Sequence, residues 1–260
     1  MPPTVILIRH AQALHNDYTI PDPPLSELGI QQCAPLRESL RARLAGARSV
    51  AVISSPMRRT LQTALLSADW LLDRARIEVD PEWQENSDKP CDTGSPLPAI
   101  LDAFPQTALD FSAVAASPWP DKTSPLARNF ANSRAAILAR AGRALHALRR
   151  RGEDYVLVFS HGGFLREALT GWWFSNADYR VFEIVDPSDT LPDGDDGDHD
   201  DDDDDDGQEE DVYRDLVGEE RDRLRLRQKG TRSGGLGKSL MERARLGAGL
   251  PEHADAAARL

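Results

Sequence analysis

The sequence predicts an α/β fold: a three-layer sandwich whose mostly parallel central sheet carries helices on both faces. Three observations predict it. Residues 5–8 and 154–160 are short apolar runs rich in β-branched residues, as strands buried on both faces require. Stretches with a helical apolar stripe separate such runs. The resulting βαβα alternation suits crossovers that lay helices on both sides of a parallel sheet.

The elements follow in order. Residues 5–8 form the first strand, and a Pro- and Asp-rich loop follows. A helix spans 27–44, capped by Ser26, with Leu28, Leu36, Leu40 and Leu44 on its buried stripe. Residues 49–54 form a second strand. Pro56 suits the first turn of a helix reaching about Leu72. "RIEV" is a short third strand. Residues 81–130 are irregular and proline-containing, and read as an insertion of short helices over the sheet edge or the site. A long helix covers 132–150, and 154–160 is the clearest buried strand. "HGG" follows it, then a helix to about Gly171, and "YRVFEIV" is the last regular strand.

The chain has 260 residues and a hydrophobic fraction of 40%, enough for a sizeable core. Its net charge of -12 is localised. Residues 193–211 hold fourteen Asp and Glu and no Lys or Arg, and without them the balance is +2. Acidity therefore describes one segment and not the fold. The expected organisation is a domain over 1–185, an acidic low-complexity insert or linker over 186–211, and a C-terminal extension over 212–260. The extension either returns through "VYRDLV" as an edge strand before becoming disordered, or is a polyampholyte tail. Two cysteines, Cys33 and Cys91, make neither a disulfide framework nor a zinc site. No apolar run approaches the ~20 residues that span a bilayer. The expectation is a soluble protein of the cytoplasm, with the nucleus a further possible location. Neither nucleic acid nor membrane is an expected partner.

Ligands of an open α/β sheet bind at the carboxyl ends of its strands. Strand one ends in Arg9-His10, strand two in "SSPMRRTLQT", strand three leads to "EWQENSDKPCDTG", and the strand near 157 ends in "SHGG". Two histidines, several arginines and a carboxylate thus converge on one rim. That set suits phosphoryl transfer through histidine. Arg forks hold the phosphoryl oxygens, and a neutral, oriented imidazole is a competent nucleophile. A bond from its other nitrogen, often to a backbone carbonyl, sets that orientation. The helix opened by Gly162 adds backbone N–H donors for an anion.

These segments also resemble a family. "LIRHAQALHN", "DPPLSELGIQQ", "SPMRRTLQTA" and "VFSHGGFLREAL" are similar, in this order, to the conserved stretches of the histidine phosphatase superfamily, in the branch of the cofactor-dependent phosphoglycerate mutases. The "RHAQ" and "WQENSDKPCDTGS" segments resemble fungal phosphoglycerate mutase-like proteins. The resemblance covers roughly 4–185 and implies the phosphoglycerate mutase-like fold. It makes His10 the phosphorylated nucleophile. Arg9, Arg59 and His161 become the phosphate pocket, and Asn16 a contact of the transferred group, with Arg58 and Gly162 beside it. Glu85 is the implied proton donor, with Glu82 and Asp92 as rivals. The family's glycine after the nucleophile is Ala11 here, which adds a methyl beside the phosphate; crowding there would slow catalysis, whereas the "RHAQ" pattern suggests that it is tolerated.

Other residues read more plainly. His15 is a surface or supporting residue, His146 sits on the long helix, and His199 and His253 fall in stretches expected to be disordered. Trp172 and Trp173 read as core or pocket wall, and Arg166 as a helix surface residue. The expected activity is hydrolysis of a small phosphorylated substrate with no cofactor and no metal. The alternatives are a mutase-type phosphotransferase and a weakly active phospho-ligand adaptor whose acidic segment recruits a basic protein. No oligomeric state is implied.

Overall fold

The computed structural model describes residues 1–14, 19–105, 108–187, 212 and 223–254. Seven strands form one sheet: β1 (Thr4–Arg9), β2 (Val50–Ser54), β3 (Ile77–Val79), β4 (Leu109–Asp110), β5 (Tyr155–Ser160), β6 (Tyr179–Val185) and β7 (Arg225–Gln228). Their order is β4-β3-β2-β5-β1-β6-β7. The first five run parallel, and β6 is antiparallel to both β1 and β7. The helices are α1 (Glu27–Arg43), α2 (Arg58–Ser67), α3 (Leu97–Ala103), α4 (Ser112–Ala115), α5 (Arg134–Arg149) and α6 (Gly162–Phe164). No helix among the described residues is long and apolar enough to cross a membrane.

Strand alternation divides the core in two. Val5, Leu7, Ala51, Ile53, Val156 and Val158 face α5 and the turns after β5. Ile6, Ile8, Val52, Leu157 and Phe159 face α1 and α2. These are the helices on both faces that the sequence predicts.

Several boundaries differ for physical reasons. Ser26 caps α1 as expected, its hydroxyl accepting from the Gly29 N–H at 3.0 Å. Leu28, expected on the buried stripe, is instead 49% exposed. Gly29 and Cys33 take that face because the helix lies against the chain at Gln12, where a Cβ on Gly29 would come within 1.9 Å of the Gln12 carbonyl oxygen. α2 stops at Ser67, and Asp69–Leu71 continues as a 3₁₀ turn. Its first N–H groups lack a local side-chain cap, so the buried Asp22 supplies one from afar. Asp22 Oδ1 accepts from Arg58 N–H at 2.9 Å, and Oδ2 from Ser95 N–H at 2.9 Å. The helix after β5 becomes a π-helix over Leu165–Thr170 and ends at Gly171, whose φ of 73° favours glycine.

The C-terminal part departs most from expectation. The edge strand forms at Arg225–Gln228, downstream of "VYRDLV", of which only Val212 is described. Residues 229–254, expected to be disordered, fold back onto the sheet edge. Asp178 accepts from Leu236 N–H, Lys238 N–H and Ser239 Oγ at 2.9, 3.2 and 2.7 Å. The buried Arg180 donates to the carbonyls of Trp173, Thr231, Arg232 and Leu240 at 3.0, 3.1, 2.6 and 2.8 Å. Leu224, Leu226, Leu246 and Leu250 are buried in the α5-side core. The segment is thus held by the polar side chains of Asp178 and Arg180 and a few leucines, with no periodicity of its own. The acidic run lies outside the described residues.

Beyond β3, Asp80 caps the turn Pro81–Trp83, its Oδ1 accepting from Glu82 N–H at 2.9 Å. Burial pushes its carboxyl up to about 6, aided by Glu82 and Glu78 and opposed by that N–H and by Arg140. Between its unfolded value near 3.8 and about 6, the folded chain holds a proton the unfolded chain has released. Stability therefore falls with rising pH across that window and stays reduced above it. Asp80→Asn keeps the accepting oxygen and should raise stability at neutral pH by roughly 2 kcal/mol, with little gain at a pH near 4. Urea unfolding at both pH values checks this. Equal effects at both would contradict it.

Candidate active site

The site forms where parallel strands end side by side. Arg9 is level with Ser160 in the β1–β5 register, so His10 and His161 leave the sheet together. Their rings meet edge to face, centroids 5.2 Å apart. β2 ends at Ser54, placing Ser55 and then α2, with Arg59, on the far side of His161.

The contacts of the two imidazoles differ. His10 Nδ1 lies 2.7 Å from the Ala11 carbonyl, which can only accept, so Nδ1 carries the proton. Nε2 is then a lone pair, and it accepts from Arg59 Nε at 3.2 Å. His161 Nε2 lies 2.9 Å from Ser55 Oγ, while its Nδ1 is buried with no partner. Burial, and then the charge of Arg59, hold His161 well below its usual pKa, so it is neutral. A Ser55 hydroxyl that donates to Nε2 would leave Nδ1 as an N–H without an acceptor.

Arg59 is buried and anchored: Nη1 donates to the Cys91 carbonyl at 2.7 Å and Nη2 to Asp92 Oδ1 at 3.0 Å. Arg9 donates through Nη1 to the Phe174 carbonyl at 2.7 Å, and its Nε is buried without a partner. Burial lowers the Arg9 pKa, Glu85 opposes the shift and Arg59 adds to it. Arg9 crosses Gly162 so closely that a Cβ there would lie 2.9 Å from Arg9 Nε. Glu85 is held by three backbone N–H groups. Oε1 accepts from Asn86 and Phe164, each at 2.9 Å, and Oε2 from Gly163 at 3.1 Å. A Cβ on Gly163 would fall 2.5 Å from Glu85 Oε1, so any larger residue there would displace the carboxylate.

The structure therefore brings His10, His161, Arg9, Arg59, Glu85 and Gly162 together. Asn16 and His15 lie outside the described residues. Arg58 donates its backbone N–H to Asp22, and its Nε is buried without a partner. Glu82 turns away to pair with Arg143 at 3.0 Å. Asp92 pairs with Arg59 and accepts from Ser87 Oγ at 2.6 Å. His146 and His253 are exposed. Trp172 is core, and half-buried Trp173 lies under the guanidinium groups of Arg166 and Arg9, at 5.1 and 5.9 Å. The Ala11 side chain is fully buried in the α1–α2 core, and its N–H donates to Thr63 Oγ1 at 3.0 Å. The methyl packs away into apolar surroundings.

Sequence reasoning missed Ser55, Thr63 and Asn176, whose Nδ2 donates to the His10 carbonyl at 3.1 Å. It also missed the buried Lys122 and Arg140 behind the Glu85 loop. Ser55 and Thr63 flank quoted motifs, but nothing in the pattern around Lys122 marks it. Two cavities, of about 590 and 220 Å³, lie at the opposite, amino-terminal end of the strands and touch none of the site residues.

The sequence model of the histidine phosphatase superfamily (branch 1) matches residues 5–189. The chain belongs to this superfamily. Membership supports a phosphatase or mutase-type enzyme. It carries no finer placement among fungal members. Solved structures of similar fold include a mycobacterial glucosyl-3-phosphoglycerate phosphatase in complex with VO3, at 19% identity over 70% of this chain and 93% of that one, TM-score 0.45. The ecdysone phosphate phosphatase of Bombix mori is another, at 17% identity over 76% and 98%, TM-score 0.46. A putative alpha-ribazole-5'-P phosphatase of Escherichia coli is a third, at 19% over 70% and 90%, TM-score 0.43. At these identities the likeness concerns the fold alone. No curated protein matches the sequence.

Proposed function

We propose that this protein is a phosphomonoester hydrolase working through a phosphohistidine on His10. The observation that carries the reading is the state of the two imidazoles. One presents an Nε2 lone pair beside Arg59, and the other has a buried Nδ1 with no partner.

His10 Nε2 attacks phosphorus while the P–O bond to the leaving alcohol breaks. Arg59 Nε, released from the lone pair it met, turns to a phosphoryl oxygen. His161 Nδ1–H and Arg9 Nε–H donate to the others. Glu85 delivers a proton to the leaving oxygen. It then takes one from the water that attacks the phosphohistidine, returning His10 and releasing inorganic phosphate. Arg9, Arg59 and Arg140 outnumber the acidic groups of Glu85 and Asp92 beside them, so the site carries an excess of positive charge. That excess suits a phosphoryl dianion. The partly exposed Asp92 carboxylate beside Arg59 favours hydrolysis over mutase chemistry, because it disfavours a substrate bringing a carboxylate next to its phosphate.

The test is a rapid quench into alkaline detergent of the protein turning over a radiolabelled phosphomonoester, with the label followed in protein. An alkali-stable, acid-labile phosphoprotein and release of inorganic phosphate are expected. A folded protein that neither takes up label nor releases phosphate over a broad pH range would overturn the reading.

A further inference from the structure

Lys122 belongs to the irregular insertion and lies outside every motif. It is 4% exposed, and its ammonium donates to the carbonyls of Glu85, Ser87 and Asp92 at 2.8, 2.6 and 2.7 Å. All three N–H bonds are thereby used, so it has none left for a substrate. Arg140, from α5, grips the same loop from its other side. Nη1 donates to the carbonyls of Glu82 and Gln84 at 2.9 and 2.6 Å, and Nη2 to Asn86 Oδ1 at 3.1 Å. Its guanidinium stacks 4.0 Å from the Phe164 ring, next to the N–H that holds Glu85.

Each residue from Gln84 to Ser87 is therefore held by one of two buried cations, in alternation. This loop carries Glu85, and its end carries Asp92, the partner of Arg59. Burying the ammonium is costly: desolvation, with Arg140 adding, pushes Lys122 down to about 7, against Asp92 and Glu85. A carbonyl-rich loop at the surface needs no such cation, whereas a carboxylate that must meet a leaving oxygen within a fraction of an ångström does.

We propose that Lys122 is a positioning residue for proton donation: it fixes the Glu85 carboxyl against the leaving-group oxygen, and takes no part in binding the phosphoryl group. This rests on the reading of His10 and Glu85 given above. Removing the lysine should impair protonation of the leaving group while leaving nucleophilic attack intact.

The experiment compares two substrates with the full chain. p-Nitrophenyl phosphate releases a stable phenolate and needs little protonation. Glycerol 2-phosphate releases an alkoxide and needs it fully. For Lys122→Met, kcat on the alkyl ester should fall about tenfold to hundredfold further than on the aryl ester, with KM for both little changed. Lys122→Gln, which keeps two donors, should show the same pattern more weakly. Combined with Glu85→Gln, Lys122→Met should add little further selectivity. An equal loss on the two substrates, a rise in KM alone, or failure of both variants to fold would make Lys122 a purely structural residue and overturn the proposal. Should the wild type form no phosphoenzyme, the functional reading itself fails. Should Glu85→Gln be selective and Lys122→Met not, only this inference fails.

Discussion

His10→Ala should form no phosphoenzyme and lose at least ~10⁴-fold in kcat on p-nitrophenyl phosphate, with the far-ultraviolet circular dichroism spectrum preserved. The expected loss is large because no other group can take the place of Nε2. His161 is held below its usual pKa by burial, but its Nε2 is taken by Ser55. The Ser55 hydroxyl is occupied by that contact, and Cys33 and Cys91 are buried, with thiols that burial pushes up, Cys33 to about 12. The residue should also be tolerated structurally, since its backbone is tied independently: its N–H donates to the Ser160 carbonyl at 3.0 Å, and its carbonyl accepts from Asn176. Rapid-quench labelling and steady-state rates measure the outcome. Labelling that survives in His10→Ala would move the nucleophile elsewhere.

Glu85→Gln should divide substrates by leaving group. On an alkyl phosphate kcat should drop by about 10²–10⁴-fold, the usual range for loss of a general acid, and on p-nitrophenyl phosphate far less. A plot of rate against leaving-group pKa should steepen in the variant. The same change should lower stability. Both Glu85 oxygens accept from backbone N–H groups, so a glutamine must turn its NH₂ toward at least one of them. A buried N–H left facing a donor costs roughly 1–3 kcal/mol, visible as a lower urea midpoint. Parallel loss on both substrates would shift attention to Asp92, the nearer rival, because Glu82 is committed to Arg143.

The sequence made the site's framework legible because its residues stand at the ends of apolar strands. Arg9-His10 and His161 follow runs that can only be buried, and the parallel register carries them to one rim. Arg59 was legible only through the resemblance of "SPMRRTLQTA" to a conserved stretch of the family. What stayed illegible was whatever depends on contact across the chain. Lys122 reads as an ordinary surface lysine until the Glu85 loop closes around it. Residues 229–254 lack apolar periodicity, and their order comes from Asp178 and Arg180, buried polar residues of another element. The effect of Ala11 stayed open because only its neighbours decide which way a methyl points.

The return of the chain at β7 has a consequence for covalent continuity. β6 ends at Val185, and the chain is buried again at Val212, whose carbonyl accepts from the Leu246 N–H at 3.0 Å. The acidic residues 193–211 thus join two fixed points of one folded body. A protease cut among them severs the polypeptide without releasing either piece. Such a nicked chain should run as two bands under denaturing conditions and as one species in native gel filtration. The last strand would then be a non-covalent subunit of the same enzyme.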